Sequence, residues 1–321
     1  MTVSATTTPG DPDVDPRGPR RGTAPSRIRD SRVDQAFHRV NLLVLGVFTL
    51  MVLYPLVYVI SASVSEPSAL TRGEVWLWPV GLNVDAYKAI WESPGLVRGF
   101  ANSVAYTIAG AVIGTALTVL AGYVLARNEL PFRRFLTLFL LIPTMLSAGI
   151  IPTYLVVRSL GMLNTPLAVI LPGAMSVFNV LITRTFYQMN VPNELLEAAR
   201  VDGADEFRFF ARIAVPLSFP IIAVNMLFYG VAQWNAWFGA FLYLNDSNLF
   251  PLQLVLRELL TQSQVDPSQI SGADLGEITK KKELFDKLKY AMIVVAMIPP
   301  LIAYPFVQKH FVKGALIGAV K

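Results

Sequence analysis

The sequence contains no cysteine and only two histidines among its 321 residues. Without cysteine, the chain has no disulfide, no thiolate metal ligand and no thiol nucleophile. His38 and His310 lie outside the long apolar runs, which excludes a histidine-based metal site or proton relay at membrane depth. The sequence therefore predicts no metal site and no catalytic residue of these types.

A nucleotide-binding P-loop, G-x-x-x-x-G-K-[ST], is also missing from the sequence. The interiors of the apolar runs hold no Asp, Glu or Lys, whereas ion-coupled transporters and pumps place ionisable residues there. The chain is therefore predicted neither to hydrolyse nucleotide nor to use an ion gradient. If it moves a solute uphill, a partner must supply the energy.

Charge is scarce throughout: 15% of the residues are charged and 54% are apolar. A soluble domain carries roughly a quarter charged residues, so this composition favours an integral membrane protein. The net charge of +5 is modest. Nucleic-acid binding would need a basic stripe, which the apolar bulk of the chain disfavours.

The first 40 residues differ from the remainder, since they hold five Pro, seven Arg and five Asp but few large apolar side chains. Such a segment cannot bury a core, and we expect 1–40 to be a disordered cytoplasmic tail. It is too long and polar for a cleavable signal peptide. Residues 41–321 form the predicted membrane domain.

Six apolar runs follow, each close to the ~20 residues that a membrane-spanning helix requires. They predict an all-α integral membrane protein with six transmembrane helices. The runs are Leu42–Ala62, Val104–Leu125, Phe135–Val156, Pro166–Thr183, Leu217–Leu242 and Tyr290–Val307.

The distribution of Lys and Arg predicts that both termini are cytoplasmic. In that orientation the inner segments hold 17 of these residues and the outer segments hold 10, as the positive-inside rule requires. The cluster Lys280–Lys282 falls in an outer loop, but the loop is long, and long loops follow the rule weakly. A solvated helix face is the simple interpretation of this cluster.

The second run carries a stripe of small residues at a spacing of four, namely Gly110, Gly114, Thr118 and Gly122. Small residues on one helix face let two membrane helices approach closely. A narrow substrate route could use the same residues, but we expect helix packing.

Residues 188–216, between the fourth and fifth runs, form the most informative segment. Pro192 and Asn193 suit a helix start, and Gly203 suits the C′ position, where φ is positive. Asp205 suits the N-cap of a second, amphipathic helix that ends at Pro216. The pattern predicts a short rigid helix, a sharp turn and a helix against the membrane.

This segment is similar to the cytoplasmic E-A-A loop of ABC-importer permease subunits, E-A-A-x-x-x-G followed by I/L-x-L-P. Here the motif is Glu197-Ala198-Ala199, Gly203 and Ile213-Ala214-Val215-Pro216, with Val215 in place of the usual Leu. The resemblance extends from the first span to the C-terminus and implies the type I ABC importer permease fold. It implies that the ATPase-coupling positions are Glu197, Ala198, Ala199, Gly203 and Pro216. An interfacial helix without a partner is the alternative from the residues alone.

Within that family the chain looks most like carbohydrate-uptake permeases related to the six-span maltose-transporter subunit. Its C-terminal string, Tyr304–Lys321, resembles the branch for complex oligosaccharides such as polyuronide fragments. The resemblance implies a prokaryotic cell-membrane location, a second homologous permease, an ABC ATPase dimer that uses ATP and Mg, and an extracytoplasmic solute-binding protein. The same machinery could import a peptide or amino acid. A membrane receptor or enzyme with a partner-binding loop is the alternative from another class.

The fifth run supplies the expected substrate path, because its amides and aromatic rings suit a sugar. The path residues, at a spacing of four, are Asn225, Tyr229, Gln233 and Trp237. Interhelical hydrogen bonds and an interfacial aromatic belt are the alternative.

The outer loops 64–103 and 243–289 are long, and the resemblance implies that they form a platform for the binding protein. The first of them carries Trp76, Trp78 and Trp91. Ordinary solvated loops are the alternative.

Overall fold

The computed structural model describes residues 31–146, 148–262 and 287–305, and every regular element in these ranges is helical. The all-α prediction is confirmed for this part of the chain. The predicted tail up to residue 30, the Lys280–Lys282 cluster and the C-terminal string after Pro305 lie outside the described residues. The chain divides into two compact units, Met1–Leu53 and Tyr54–Lys321, and the sites below all belong to the second.

Fourteen longer helices and a 3-10 helix, Ser247–Leu249, make up the described part. The longer helices are α1 Arg32–Ser63, α2 Pro67–Thr71, α3 Asp85–Glu92, α4 Pro94–Ala126, α5 Arg133–Met145, α6 Ile150–Ser159, α7 Pro166–Ile170, α8 Val177–Asn190, α9 Asn193–Val201, α10 Glu206–Leu217, α11 Phe219–Asn235, α12 Phe238–Tyr243, α13 Leu252–Gln262 and α14 Lys287–Pro305.

The start of α1 corrects the predicted boundary at residue 40, because the helix begins at Arg32. Ser31 and Asp34 form a reciprocal capping box: the Asp34 N–H donates to Ser31 Oγ, and the Ser31 N–H donates to Asp34 Oδ2. Such a box satisfies N–H groups that have no partner in the first turn. Residues 32–40 are therefore helical, although their composition resembles that of the tail.

Three of the described helices, α1, α4 and α14, are individually long and apolar enough to cross a membrane. The bent pairs α5–α6 and α10–α11 would raise the number to five if each pair is one span. The count of six and the cytoplasmic position of both termini remain predictions.

Two of the predicted spans are not continuous helices. The run 166–183 is split into α7 and α8 around Pro172, because proline lacks the N–H that a continuing helix needs. The run 217–242 is interrupted at Ser218 and again at Ala236, whose ψ of 107° is extended. Pro220 lies in the first turn of α11, where a missing N–H costs little.

Helix α4 forms the centre of the second unit and packs along α8 and α11. A Cβ at Gly114 would lie 2.7 Å from the Ala174 carbonyl oxygen, and one at Gly122 would lie 2.7 Å from Thr183 Cγ2. The small-residue stripe therefore allows close helix packing, as predicted.

The two ends of α4 carry separate apolar clusters. The cluster at its start includes Ile90, Leu96, Leu252 and Met292, and the cluster at its end surrounds the 188–216 segment. A helix of 33 residues is ~50 Å long at ~1.5 Å per residue. Features at the two clusters are thus separated by about the length of this helix.

Candidate functional site

Helix α9 ends in a Schellman turn at the predicted glycine. Gly203 has φ +79°, and its N–H donates to the Arg200 carbonyl at 3.0 Å. The Ala204 N–H donates to the Ala199 carbonyl at 2.9 Å, which completes the two-bond pattern of this motif. The predicted positive φ at Gly203 is confirmed, and the hydrogen bonds hold the direction in which the chain leaves the helix.

The two faces of α9 have different surroundings. Leu196 and Ala199 are buried against the ends of α4 and α8 and against Phe209. Glu197 and Ala198 are exposed on the other side. The structure therefore separates the two alanines of the motif, because Ala199 packs inside the chain while Ala198 remains open to a partner.

The second helix of the segment begins as expected, because Asp205 Oδ1 accepts the Arg208 N–H at 2.6 Å. It does not end at Pro216. A π turn, in which the Val215 N–H donates to the Phe210 carbonyl, shifts the hydrogen-bond register just before the proline. The helix thus continues to Leu217, despite the missing donor of Pro216, and stops at Ser218.

Arg200 links the turn to two other parts of the chain, a role that the spacing of the motif does not reveal. Its guanidinium donates to both carboxylate oxygens of Glu129, at 3.1 and 2.9 Å, and to Glu206. These hydrogen bonds and the positive charge lower the pKa of the Glu129 carboxyl below its usual value. Glu129 follows α4, so the bidentate pair connects the E-A-A helix to the central helix.

Arg127 makes a second connection at the same end of α4. Its Nη2 donates to the Tyr123 hydroxyl at 2.7 Å, and its Nη1 lies 3.4 Å from Asn193 Oδ1 at the start of α9. Its Cζ lies 4.4 Å from the Tyr123 ring centroid and 5.1 Å from that of Phe209. A cavity of about 320 Å³ opens beside this arginine and the first turn of α9.

Three of the predicted path residues make contacts between helices. Asn225 is buried, and its Nδ2 donates to Thr183 Oγ1 at 2.8 Å. The buried Tyr229 hydroxyl lies 2.5 Å from Thr118 Oγ1 and accepts the Ser176 N–H. Gln233 Nε2 lies 3.4 Å from the Val169 carbonyl oxygen, and its side chain is partly buried. These contacts match the alternative in which the stripe joins helices.

Trp237 does not share the face of these three residues, which corrects the expected four-residue stripe. Helix α11 ends at Asn235, and the extended backbone of Ala236 separates Trp237 from it. Trp237 instead precedes α12 and contacts Phe238, Phe241 and Arg257. A spacing of four places residues on one face only while the helix continues.

The described parts of the two loops predicted to form the platform pack at the start of α4, and residues 263–286 of the second loop lie outside the described residues. Trp76, Trp78 and Trp91 are exposed there. Lys287 is fully buried, and its Nζ donates to the carbonyl and side-chain oxygens of Asn83. This contact ties the loop after α2 to the first residue of α14.

Among the described residues, no cluster of three or more His, Asp or Glu side chains could hold a metal ion. At the end of α4, the short helix α9 has one exposed face. Arg127 and Arg200 connect this helix to the end of α4.

The family model for the binding-protein-dependent transport system inner membrane component matches residues 114–316. This range includes the E-A-A segment, the expected path and the small-residue stripe from Gly114 onward.

Similar proteins cover nearly the whole chain. The protein LplC of Bacillus subtilis is 38% identical over 294 residues, which are 92% of this chain and 98% of LplC. The polygalacturonan/rhamnogalacturonan transport system permease protein YtcP of the same organism is 41% identical over 279 residues, 85% of this chain and 94% of YtcP. A chain in the crystal structure of a bacterial ABC transporter involved in the import of the acidic polysaccharide alginate is 30% identical, with a TM-score of 0.80. That comparison covers 88% of this chain and 99% of the other.

Proposed function

Because the chain belongs to the family of binding-protein-dependent transport system inner membrane components, we propose that it is the permease subunit of an oligosaccharide importer driven by a separate ATPase. As a member of this family, it is an inner-membrane protein of a prokaryotic cell. The relatives named for polygalacturonan/rhamnogalacturonan transport and for alginate import support an oligosaccharide substrate. In this proposal ATP and Mg are used by the ATPase subunits, and this chain does no covalent chemistry.

The observation that carries the proposal is the two-faced helix α9. Its inner face, with Leu196 and Ala199, is packed into the permease, and its outer face, with Glu197 and Ala198, is exposed. A helix fixed on one side and open on the other transmits a displacement of its partner to the spans. We assign docking on the ATPase to Glu197, Ala198 and the turn at Gly203, with Pro216 at the far end of the segment.

In this proposal, alternating access depends on the contacts that connect α9 to α4. When ATP closes the ATPase dimer, α9 moves with the dimer, and the Arg200–Glu129 and Arg127–Asn193 contacts carry that movement to α4. Helix α4 packs closely on α8 and α11, so these helices move together. Rigid-body rearrangements of this kind are a common form of conformational switching.

The absence of cysteine gives a direct test of docking, because one introduced cysteine is the only thiol in the chain. In the assembled importer, Ala198→Cys is expected to cross-link to a single-cysteine ATPase. Ala199→Cys, one position away on the buried face, is the matched control and is expected to remain unlinked. Absence of cross-linking at Ala198 with every cysteine position tried on the ATPase surface would contradict the proposal.

A second homologous permease and an extracytoplasmic binding protein complete the proposed assembly. The exposed Trp76, Trp78 and Trp91 support a contact surface at the end of α4 opposite the ATPase, because tryptophan is enriched at protein interfaces. Co-purification of the tagged chain from the native membrane tests this composition. Recovery of this permease without a second permease would exclude the heterodimer.

A further inference from the structure

Two aromatic rings and an arginine form a cluster at the junction of α11, α12 and α13. The Cζ of Arg257 lies 4.3 Å from the ring centroid of Phe241 and 4.8 Å from that of Trp237. The rings contact each other, with centroids 6.4 Å apart. Trp237 and Phe241 are 38% and 49% exposed, so the cluster is accessible at the surface of this chain. We refer to Trp237, Phe241 and Arg257 as the cation–aromatic cluster.

The charge of Arg257 has no counter-ion in the described part of the chain. No carboxylate of those residues pairs with it, and none of their acceptors receives its N–H donors. Its neighbour Glu258 lines a different cavity, with Leu96 and Leu288. The aromatic rings hold the guanidinium through cation–π contacts and leave its hydrogen-bonding capacity unused by the described residues.

The position of the cluster suits an entry point for solute. Helix α13 packs on the start of α4, where Gly99 meets Val255, at the end opposite the E-A-A helix. In an importer whose ATPase docks on α9, this is the end that receives the solute. Trp237 also lies just beyond the stripe that ends with Gln233, so the cluster begins where the interhelical contacts of that stripe stop.

We infer that the cation–aromatic cluster binds a carboxylated sugar residue of the transported oligosaccharide. A planar guanidinium recognises a carboxylate through two parallel N–H donors, and aromatic rings offer apolar faces to the C–H face of the same sugar. A neutral sugar would use the rings but would leave the guanidinium without a partner among the described residues. This inference rests on the proposed oligosaccharide transport and assigns recognition of a substrate carboxylate to Arg257.

The experiment compares uptake of trigalacturonate with uptake of its methyl ester, which has the same skeleton without the negative charge. Both are measured with the complete importer in proteoliposomes. Arg257→Ala is expected to lower the acid-to-ester uptake ratio about tenfold or more, since it removes a hydrogen-bonded ion pair with the substrate. Arg257→Lys, which retains the charge but loses the planar fork, is expected to fall between Arg257→Ala and the wild type.

Arg158→Ala is the matched control, since this arginine is exposed on α6, outside the cluster. It removes the same charge outside the cluster and is expected to keep the wild-type ratio. An unchanged ratio in Arg257→Ala, or an equal loss of uptake for both probes, overturns the inference. Wild-type transport of the ester but not of the acid overturns the inference and leaves the proposed function intact, whereas failure of the importer to carry any oligosaccharide overturns both.

A lipid headgroup could also occupy an arginine beside aromatic rings at a membrane surface. The same uptake measurements in phosphatidylcholine vesicles, with and without phosphatidylglycerol, separate these two sources of negative charge. Binding of a sugar carboxylate predicts the same change in ratio in both vesicles. A defect of Arg257→Ala that follows lipid charge and not probe charge would assign the cluster to the membrane and overturn the inference.

Discussion

Arg200 donates to both carboxylate oxygens of Glu129, a residue 71 positions earlier in the chain. Both side chains are substantially exposed, at 43% and 62%, and exposed ion pairs contribute little to folding stability. The geometric effect is larger, since a bidentate pair fixes orientation as well as distance. The pair connects the turn after α9 to the end of α4 and lies on the proposed route of coupling.

Glu129→Gln is therefore expected to weaken coupling more than it weakens folding. We expect transport-stimulated ATP hydrolysis to fall by roughly twofold to thirtyfold, the range found for residues along coupling networks, with an unchanged apparent Tm. Lys88→Gln, which breaks an exposed ion pair with Asp85, is the control for the effect on the apparent Tm. Wild-type stimulation in Glu129→Gln would remove this pair from the coupling route.

The same pair predicts a pH response. Because the folded pKa of Glu129 is lowered by Arg200, its stabilising effect is complete above the ordinary carboxyl pKa of ~4.3 and is lost as the pH falls through the lowered value. The wild-type protein should therefore keep this contact from neutral pH to about pH 5. Titration of the Glu129 carboxyl by isotope-edited infrared spectroscopy, with Arg200→Gln for comparison, checks the sign: the pKa should rise in the variant.

Substitutions of Gly203 test whether transport requires the turn after α9. Gly203→Pro is expected to abolish transport while the protein remains in the membrane, because proline cannot adopt φ +79° and lacks the N–H that bonds to Arg200. Gly203→Ala should show a partial loss, from ~1–2 kcal/mol of backbone strain. Gly161→Ala, at φ +67° with equally open surroundings, carries the same strain elsewhere and should transport normally. Survival of uptake and stimulated ATP hydrolysis in Gly203→Pro would disprove the coupling assignment.

Charge reversal on the open face of α9 tests the docking contact. Glu197→Lys is expected to abolish uptake without loss of membrane insertion, because Glu197 is exposed and faces the proposed ATPase. Glu92→Lys, an equal reversal at the start of α4, should leave co-purification of the ATPase at the wild-type level, because it lies far from α9. Recovery of the ATPase with the two variants is compared at matched expression in the membrane, and equal recovery would argue against a specific contact at Glu197.

Gly114 tests the close packing of α4. Gly114→Ala would place a Cβ 2.7 Å from the Ala174 carbonyl oxygen and 2.9 Å from the Tyr229 ring, a backbone contact that cannot yield easily. We expect ~1–3 kcal/mol of destabilisation, measured as a lower apparent Tm in detergent. Gly95→Ala, in the same helix with no neighbour within 4 Å, should not lower the apparent Tm.

Asn225 distinguishes a structural stripe from a substrate path. Asn225→Ala loses the buried hydrogen bond to Thr183 and is expected to lose ~0.6–1.7 kcal/mol of stability with unchanged apparent affinity for substrate. Asn235→Ala, whose amide bonds to its own helix at Val231, is the control for stability. Gln233→Ala is also expected to keep the wild-type affinity. A raised KM in either Asn225→Ala or Gln233→Ala would support the original prediction that these residues line the substrate path.

The features that the sequence predicted correctly depend on composition or on neighbouring residues along the chain. The scarcity of charge determined a membrane protein, and the spacing of small residues in α4 determined close packing. Gly203 adopts a positive φ and Asp205 caps the next helix. Both effects depend only on neighbouring residues, so both roles were predictable from the sequence. The break at Ala236, which separates Trp237 from the stripe, was not, because neither proline nor glycine marks it.

The sequence by itself determined which residues could form a short, capped helix. Only the tertiary structure decided which face of that helix is open, because packing of Leu196 and Ala199 against distant residues selects the buried side. It alone also brought Arg200 to Glu129 and Arg257 to Trp237, pairs that lie 71 and 20 positions apart. Propensity and capping act over a few neighbouring residues, whereas such contacts depend on how whole helices pack against each other.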